Sequence, residues 1–128
     1  MNRNVVLAIV DDDEAILSGL SSLVRSVGYK VRLFKSAEEF LDDSQAHPPN
    51  CVLTDIQMPG MNGLELQLAI RARNPTLPVI FMTAFPEEAI REKAMRAGAH
   101  SFLHKPFDAD TILRSLFAAT HTIDDRNV

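Results

Sequence analysis

The stretch CVLTDIQMPGMNG, residues 51–63, drives an apolar run straight into a carboxylate, Asp55, and then breaks the backbone at Met58-Pro59-Gly60. A strand covered on both faces reads as a continuous apolar run, whereas a half-solvated strand alternates. CVLTD is therefore predicted to be an interior strand of a parallel sheet with Asp55 at its C-terminal end. Aspartate is also an ordinary turn residue and helix cap. What Asp55 does depends on what the other strands end in.

Four further apolar runs alternate with helical patterns. VVLAIV (5–10) is continuous and β-branched, KVRLF (30–34) alternates weakly, and PVIFMT (78–83) and SFLH (101–104) complete a set of five strands. Ile16, Leu17, Leu20, Leu23, Val24 and Val27 recur at helical spacing, and Gly28 closes that helix. Ser36 with Glu39 three residues on is a capping-box pattern that opens a short second helix to about Leu41. Asn62 caps a third, with Leu64, Leu68 and Ala69 inward; EEAIREKAMRAG (87–98) is a fourth and DADTILRSLFAA (108–119) a fifth. This alternation implies right-handed βαβ crossovers and a helix-covered parallel sheet. At 128 residues the chain makes one domain. The polar TIDDRNV (122–128) reads as a tail or the start of a linker.

Composition narrows the function classes. The chain is 46% hydrophobic with a net charge of −4, which argues against a dedicated nucleic-acid surface. No apolar run approaches the roughly 18 residues of a membrane helix. The N-terminus runs from MNRNVVLAIV directly into acid, without a signal-peptide pattern. The lone Cys51 allows no internal disulfide, so a cytoplasmic location is expected. Cys51 opens an apolar strand and reads as core. His47, His100, His104 and His121 show no paired ligand spacing. Dinucleotide and Walker glycine patterns are missing.

The chemistry lies at the strand ends. Strand one ends in Asp11-Asp12-Asp13, strand three in Asp55, strand four in Thr83, and strand five just before Lys105-Pro106. In an open parallel sheet these ends share one edge, and ligands bind in the crevice there. One carboxylate suffices to cap the first helix, and Asp13 fills that role; Asp11 and Asp12 are surplus to it. Adjacent carboxylates repel, and a hard divalent ion removes the conflict. The acidic cluster thus reads as a Mg²⁺ site. A cis Lys105-Pro106 bond would aim the lysine back over the sheet edge.

The phrases IVDDD, VLTDIQMPGMNGLEL, PVIFMTA and AMRAGAHSFLHKPFD, taken in order over residues 4–120, resemble the receiver domain of bacterial two-component response regulators. SAEEFL and AGAHSFLHKPFD are most similar to receivers of the FixJ and TodT kind, which carry a helix-turn-helix output domain. The resemblance implies a CheY-like, flavodoxin-like (βα)5 domain over residues 1–121, doubly wound, its five parallel strands in the order 2-1-3-4-5 with helices on both faces. It implies that Asp55 accepts a phosphoryl group from a sensor histidine kinase. Asp11 and Asp12 would hold Mg²⁺, Asp12 more directly and Asp11 through water, together with Asp55 and the backbone carbonyl of Gln57. Lys105 and Thr83 would bind phosphoryl oxygens.

By the same resemblance, Thr83 moving inward makes room for an aromatic on strand five, Phe102. Many receivers have Tyr there, so readout through a hydroxyl is lost. Gln57 and Phe85 occupy positions that tune phosphoryl lifetime, and a bulky Phe85 departs from the small or polar residues common there. The face made by the fourth helix, fifth strand and fifth helix would dimerise or dock an output domain or partner, with Arg91, Lys93, Arg96, Asp108, Asp110 and Arg114 supplying mixed charge. Such a switch phosphorylates and dephosphorylates only itself and is no metabolic enzyme. Two alternatives stand beside it. An aspartyl-nucleophile phosphatase needs an acid/base Asp where Gln57 lies. A phosphorylation-independent interaction module would have no use for the intact acidic, hydroxyl and lysine set.

Overall fold

Every residue of β3 (Cys51–Asp55) is buried, as an interior strand covered on both sides requires. The computed structural model describes the backbone of residues 4–126 and the side chains of residues 4–121; residues 1–3, 127 and 128, the last two the end of the expected polar tail, lie outside the described residues. Around β3 stand β1 (Val6–Val10), β2 (Lys30–Phe34), β4 (Val79–Thr83) and β5 (Ser101–His104), all parallel, in the order β2-β1-β3-β4-β5. The expected strand order and doubly wound class hold. Five helices connect and follow the strands: α1 (Glu14–Ser26), α2 (Ala37–Ser44), α3 (Gly63–Arg73), α4 (Glu88–Arg96) and α5 (Ala109–Arg126).

Side-chain alternation along each strand divides the core in two. Ala8, Val10, Val52, Val79 and Phe81 face α2, α3 and α4, where Phe40, Leu66 and Ile70 meet them. Leu7, Ile9, Leu53, Ile80 and Met82 face α1 and α5, against Leu17, Val24, Ile112 and Leu116. Because both layers are filled, the sheet is rigid, and its C-terminal edge is a fixed platform.

Several local expectations change. α2 continues to Ser44, three residues past Leu41, because Phe40 and Leu41 pack into the first layer and hold the turn that follows. α5 continues to Arg126, past the amphipathic stretch that ends at 119. In α3 the buried positions are Gly63, Leu66, Gln67 and Ile70, while Leu68 is 65% exposed. The inward face is thus set by the i, i+3, i+4, i+7 row through Leu66, and Leu68 falls outside it. An amide takes the place apolar patterning gave to Leu68: Gln67 Nε2 donates to the Ala94 carbonyl of α4 at 3.2 Å. Val27 of the expected α1 stripe is likewise exposed, since it caps the helix.

The break after Asp55 has a steric cause. Gly63 N donates to the Ile56 carbonyl at 2.8 Å, closing the loop between β3 and α3. A β-carbon on Gly63 would come within 2.8 Å of Ile56 Cα and closer still to the Asp55 carbonyl oxygen. Only glycine lets α3 start this close to the strand end. Asn62 and Glu65 then form a reciprocal capping box, which fixes where the helix begins.

The register of α3 is testable. We expect Leu66→Ala to cost about 2–5 kcal/mol in urea unfolding, as buried leucine truncations do. Leu68→Ala should stay within about 0.5 kcal/mol of the parent. Equal losses at both positions would show that the helix is rotated from the arrangement described.

Candidate functional site

Strand pairing brings the acidic residues together. Val10 is in register with Thr54, so Asp11 and Asp55 leave neighbouring strands side by side at the point where the strand order reverses. The backbone N–H of Asp11 donates to the Phe34 carbonyl at 3.0 Å, extending the β1–β2 ladder by one residue. The aspartate triplet then divides its work. Asp13 caps α1 through a 2.9 Å bond from Ala15 N; Asp11, fully buried, accepts from Asp13 N at 2.9 Å; Asp12 stays exposed.

From the far side comes Lys105, at the end of β5. Its backbone N–H donates to the Thr83 carbonyl at 2.7 Å, and the Lys105–Pro106 peptide is cis. Its Nζ lies 2.9 Å from Asp11 Oδ2 and 3.5 Å from Asp55 Oδ2, with the side chain 15% exposed. Burial opposes the ammonium, but the hydrogen bond to Asp11 and the charges of Asp55 and Asp11 outweigh it, and the Lys105 pKa is raised.

Asp55 is 8% exposed, and its Oδ1 accepts the Ile56 N–H at 2.7 Å. Burial pushes its pKa above the ordinary carboxylate value. The Asp11 charge adds to that push, while Lys105 and the Ile56 and Gln57 N–H groups oppose it. Carboxylate oxygens of Asp11, Asp12 and Asp55 all lie within 4.8 Å of one another, the only such cluster of three or more acidic, His or Cys ligands among the described residues. Oxygen donors without sulfur or imidazole suit a hard cation of the Mg²⁺ type and not a zinc-like one.

The remaining predicted positions surround this centre at different depths. Thr83 is buried, and its Oγ1 accepts the Phe85 N–H at 3.0 Å. Phe102 pairs in register with Phe81, is half-buried, and lies with its ring centroid 6.5 Å from that of Phe81. Alternation places Thr83, Phe81 and Phe102 on the same side of the sheet. Phe85 is 65% exposed beside the site, and Gln57 is exposed between buried Ile56 and Met58. On the face formed by α4, β5 and α5, Arg91, Arg96 and Arg114 pair within their own helices, with Glu88, Glu92 and Asp110. Cys51 is core: burial pushes its thiol up to about 12, which leaves no nucleophile there.

Residues that apolar spacing could not flag also shape the two edges of the sheet. Glu38, in the first turn of α2, accepts the Met61 N–H at 3.1 Å. Arg71 donates to the carbonyls of Pro75, Leu77 and Gly98, tying two loops together at the opposite sheet edge. A surface-coded charge carries no sequence signal of such a partner.

A doubly wound parallel sheet with buried carboxylates and an ammonium at its switch point defines a flavodoxin-like domain. The response regulator receiver domain family matches residues 7–117. The response regulator protein TodT of Pseudomonas putida is 39% identical over 118 residues, 92% of this chain and 52% of that protein. The transcriptional regulatory protein FixJ of Bradyrhizobium diazoefficiens is 35% identical over 111 residues, 87% of this chain and 54% of that protein. A CheY-like receiver domain protein from Methanospirillum hungatei superimposes with a TM-score of 0.91 at 26% identity, over 95% of this chain and 98% of that one. The chain belongs to the response regulator receiver domain family, whose members are phosphorylation-controlled switches of two-component systems. It spans about half the length of the curated relatives it matches.

The raised Asp55 pKa has a consequence for stability. A carboxyl whose folded pKa lies above its unfolded value binds more protons when folded, so its ionisation costs stability as pH rises through that range. We expect metal-free Asp55→Asn to unfold at higher urea than the parent at neutral pH, with the gap closing as pH falls through the carboxylate range. A lower midpoint for the variant would show that the Lys105 contact dominates instead.

Proposed function

We propose that Asp55 is the phosphoacceptor of a two-component signalling switch, charged from a phosphohistidine on a sensor histidine kinase. What carries this reading is the Asp55 carboxylate itself, held at the sheet's switch point against Lys105 and beside Asp11 and Asp12. A carboxylate oxygen of Asp55 attacks the phosphorus. The P–N bond of the donor breaks, its electron pair stays on the imidazole, which takes up a proton, and an acyl phosphate forms. Water later cleaves the phosphoryl group, returning the carboxylate and inorganic phosphate. No external metabolite is turned over.

Asp11, Asp12, Asp55 and the Gln57 carbonyl would hold Mg²⁺, which when bound offsets negative charge on the transferring phosphoryl group. Lys105, already between Asp11 and Asp55, pairs with one phosphoryl oxygen. The Thr83 hydroxyl donates to another and gives up its bond from Phe85 N. A phosphoryl group adds nearly two negative charges at one strand end. Thr83 answers by moving toward it, and Phe102 follows into the space beside Phe81. The change reaches the surface of α4, β5 and α5, where it controls an output domain or partner protein, with dimerisation as one route. TodT and FixJ carry regulator names and this chain matches only about half of each, which supports a transcriptional output beyond this receiver unit. We assign residues 1–121 to that unit and 122–128 to a tail or linker start, and we place the protein in the cytoplasm. Among the described residues no helix is long and apolar enough to cross a membrane.

Incubation with Mg²⁺ and acetyl phosphate, followed by intact-mass measurement, should give one phosphoryl adduct that Asp55→Ala abolishes. An adduct that survives that substitution would overturn the assignment. Phe85, broad and apolar beside the site, shields the acyl phosphate from water. Phosphate release from Phe85→Glu should accordingly be severalfold faster than from the parent, and equal rates would remove this role.

A further inference from the structure

The loop from Ile56 to Asn62 carries the Gln57 carbonyl and needs a defined shape to present it. Its base is closed by the bond from Gly63 N to the Ile56 carbonyl at 2.8 Å. Its inner side is seated by Ile56 and Met58, both buried in the layer shared with α2 and α3. Those contacts are apolar and fix position better than orientation, because dispersion and burial have no preferred direction. At the apex the chain turns through Gly60, with φ +75°, and the next N–H, that of Met61, points at Glu38 Oε2, 3.1 Å away.

Glu38 and the apex fit each other closely. A β-carbon on Gly60 would lie 2.7 Å from the same Oε2, so the carboxylate occupies the space a side chain at 60 would take. The other hydrogen bonds of this segment tie it to its flanking elements, from Ile56 N to Asp55 Oδ1 of β3 and between the Asn62–Gly63 end and α3 or Ile56. Glu38 is the one side chain from outside the flanking β3 and α3 with a hydrogen bond to the loop among the described residues. Its neighbour Glu39 has the same charge and the same helical turn, but its Oε1 accepts Lys35 N, just ahead of the Ser36 cap of α2, at 3.4 Å. Two adjacent glutamates thus do separate work: one bonds the chain that leads into its own helix, the other reaches across to the loop after Asp55.

We infer that Glu38 is a positioning residue for the cation site: by holding the Met61 N–H it fixes the loop that presents the Gln57 carbonyl, and so sets the affinity for Mg²⁺. This rests on the reading of Asp11, Asp12 and Asp55 as a Mg²⁺ site. Groups that orient ligands without touching the metal commonly change affinity by about 10–100-fold. Glu38 is exposed and holds a single N–H, so the loss on its removal belongs at the lower end of that range.

Calorimetric titration of the phosphodonor-free protein with MgCl₂ tests this in Glu38→Ala, Glu38→Gln, Glu39→Ala and the parent. Glu38→Ala should bind Mg²⁺ about tenfold more weakly. Glu38→Gln keeps an acceptor oxygen and should recover most of that loss, whereas Glu39→Ala, which removes the same charge, should bind as the parent does. Hydrogen exchange of the Met61 amide in metal-free protein should quicken about two- to tenfold in Glu38→Ala alone, the range one hydrogen bond supplies. Equal Mg²⁺ affinity in Glu38→Ala and the parent, or equal weakening in both alanine variants, would overturn the inference and leave the cation site standing. A parent protein that takes up no Mg²⁺ would overturn both.

Discussion

Lys105 Nζ stands 2.9 Å from Asp11 Oδ2 and 3.5 Å from Asp55 Oδ2, and the upper edge of the sheet is organised around that three-charge contact. Two carboxylates withdrawn from water on adjacent strands repel each other and lose hydration. The ammonium answers part of both costs, but one positive charge cannot balance two negative ones, with Asp12 close by. The site is therefore held in a state of residual negative charge. Such a state favours a divalent cation, while the raised Asp55 pKa comes first from burial of its carboxyl, against the opposing charge of Lys105.

That arrangement depends on the fold delivering three side chains from strands far apart in sequence. Asp11 and Asp55 come together because β1 and β3 are neighbours, and Lys105 reaches them from the end of β5 across β4. Filled layers on both faces leave the strand ends little freedom to relax away from one another. Gly63 completes the frame by admitting α3 against the Asp55 backbone, so Asp55 is braced from below by its strand and from behind by the next helix.

Much of this was legible in the amino-acid order. A parallel sheet buried on both sides writes each strand as an unbroken apolar run, so the polar residue that ends the run marks the ligand-binding edge. Asp11, Asp55, Thr83 and Lys105 could be found that way, and the register then brought Asp11, Asp55 and Lys105 into contact. Positions set by tertiary packing were not legible. Leu68 looks like a core residue and lies outside, because α3 is rotated to bury Leu66 and Ile70, with Gln67 between them. Glu38 looks like one more solvated charge, because nothing in its local sequence encodes an N–H 23 residues away. Asp13 marked a helix start and is one, since a cap is a local interaction that needs only its own turn.

The seam between α3 and α4 is of a different kind from the rest of the core. Of the α4 side chains only Ala94 is buried, the helix start has no side-chain cap, and Gln67 spans the seam with its Nε2 bonded to the Ala94 carbonyl. Its Oε1 is buried and has no hydrogen-bond donor among the described residues. In an apolar seam, parting two helices only exposes surface. Here parting them exchanges the Gln67–Ala94 bond for bonds to water, an exchange with a small net cost. The seam beside the helix that follows the Thr83 strand end is thus joined by a polar contact where the rest of the core is joined by apolar ones.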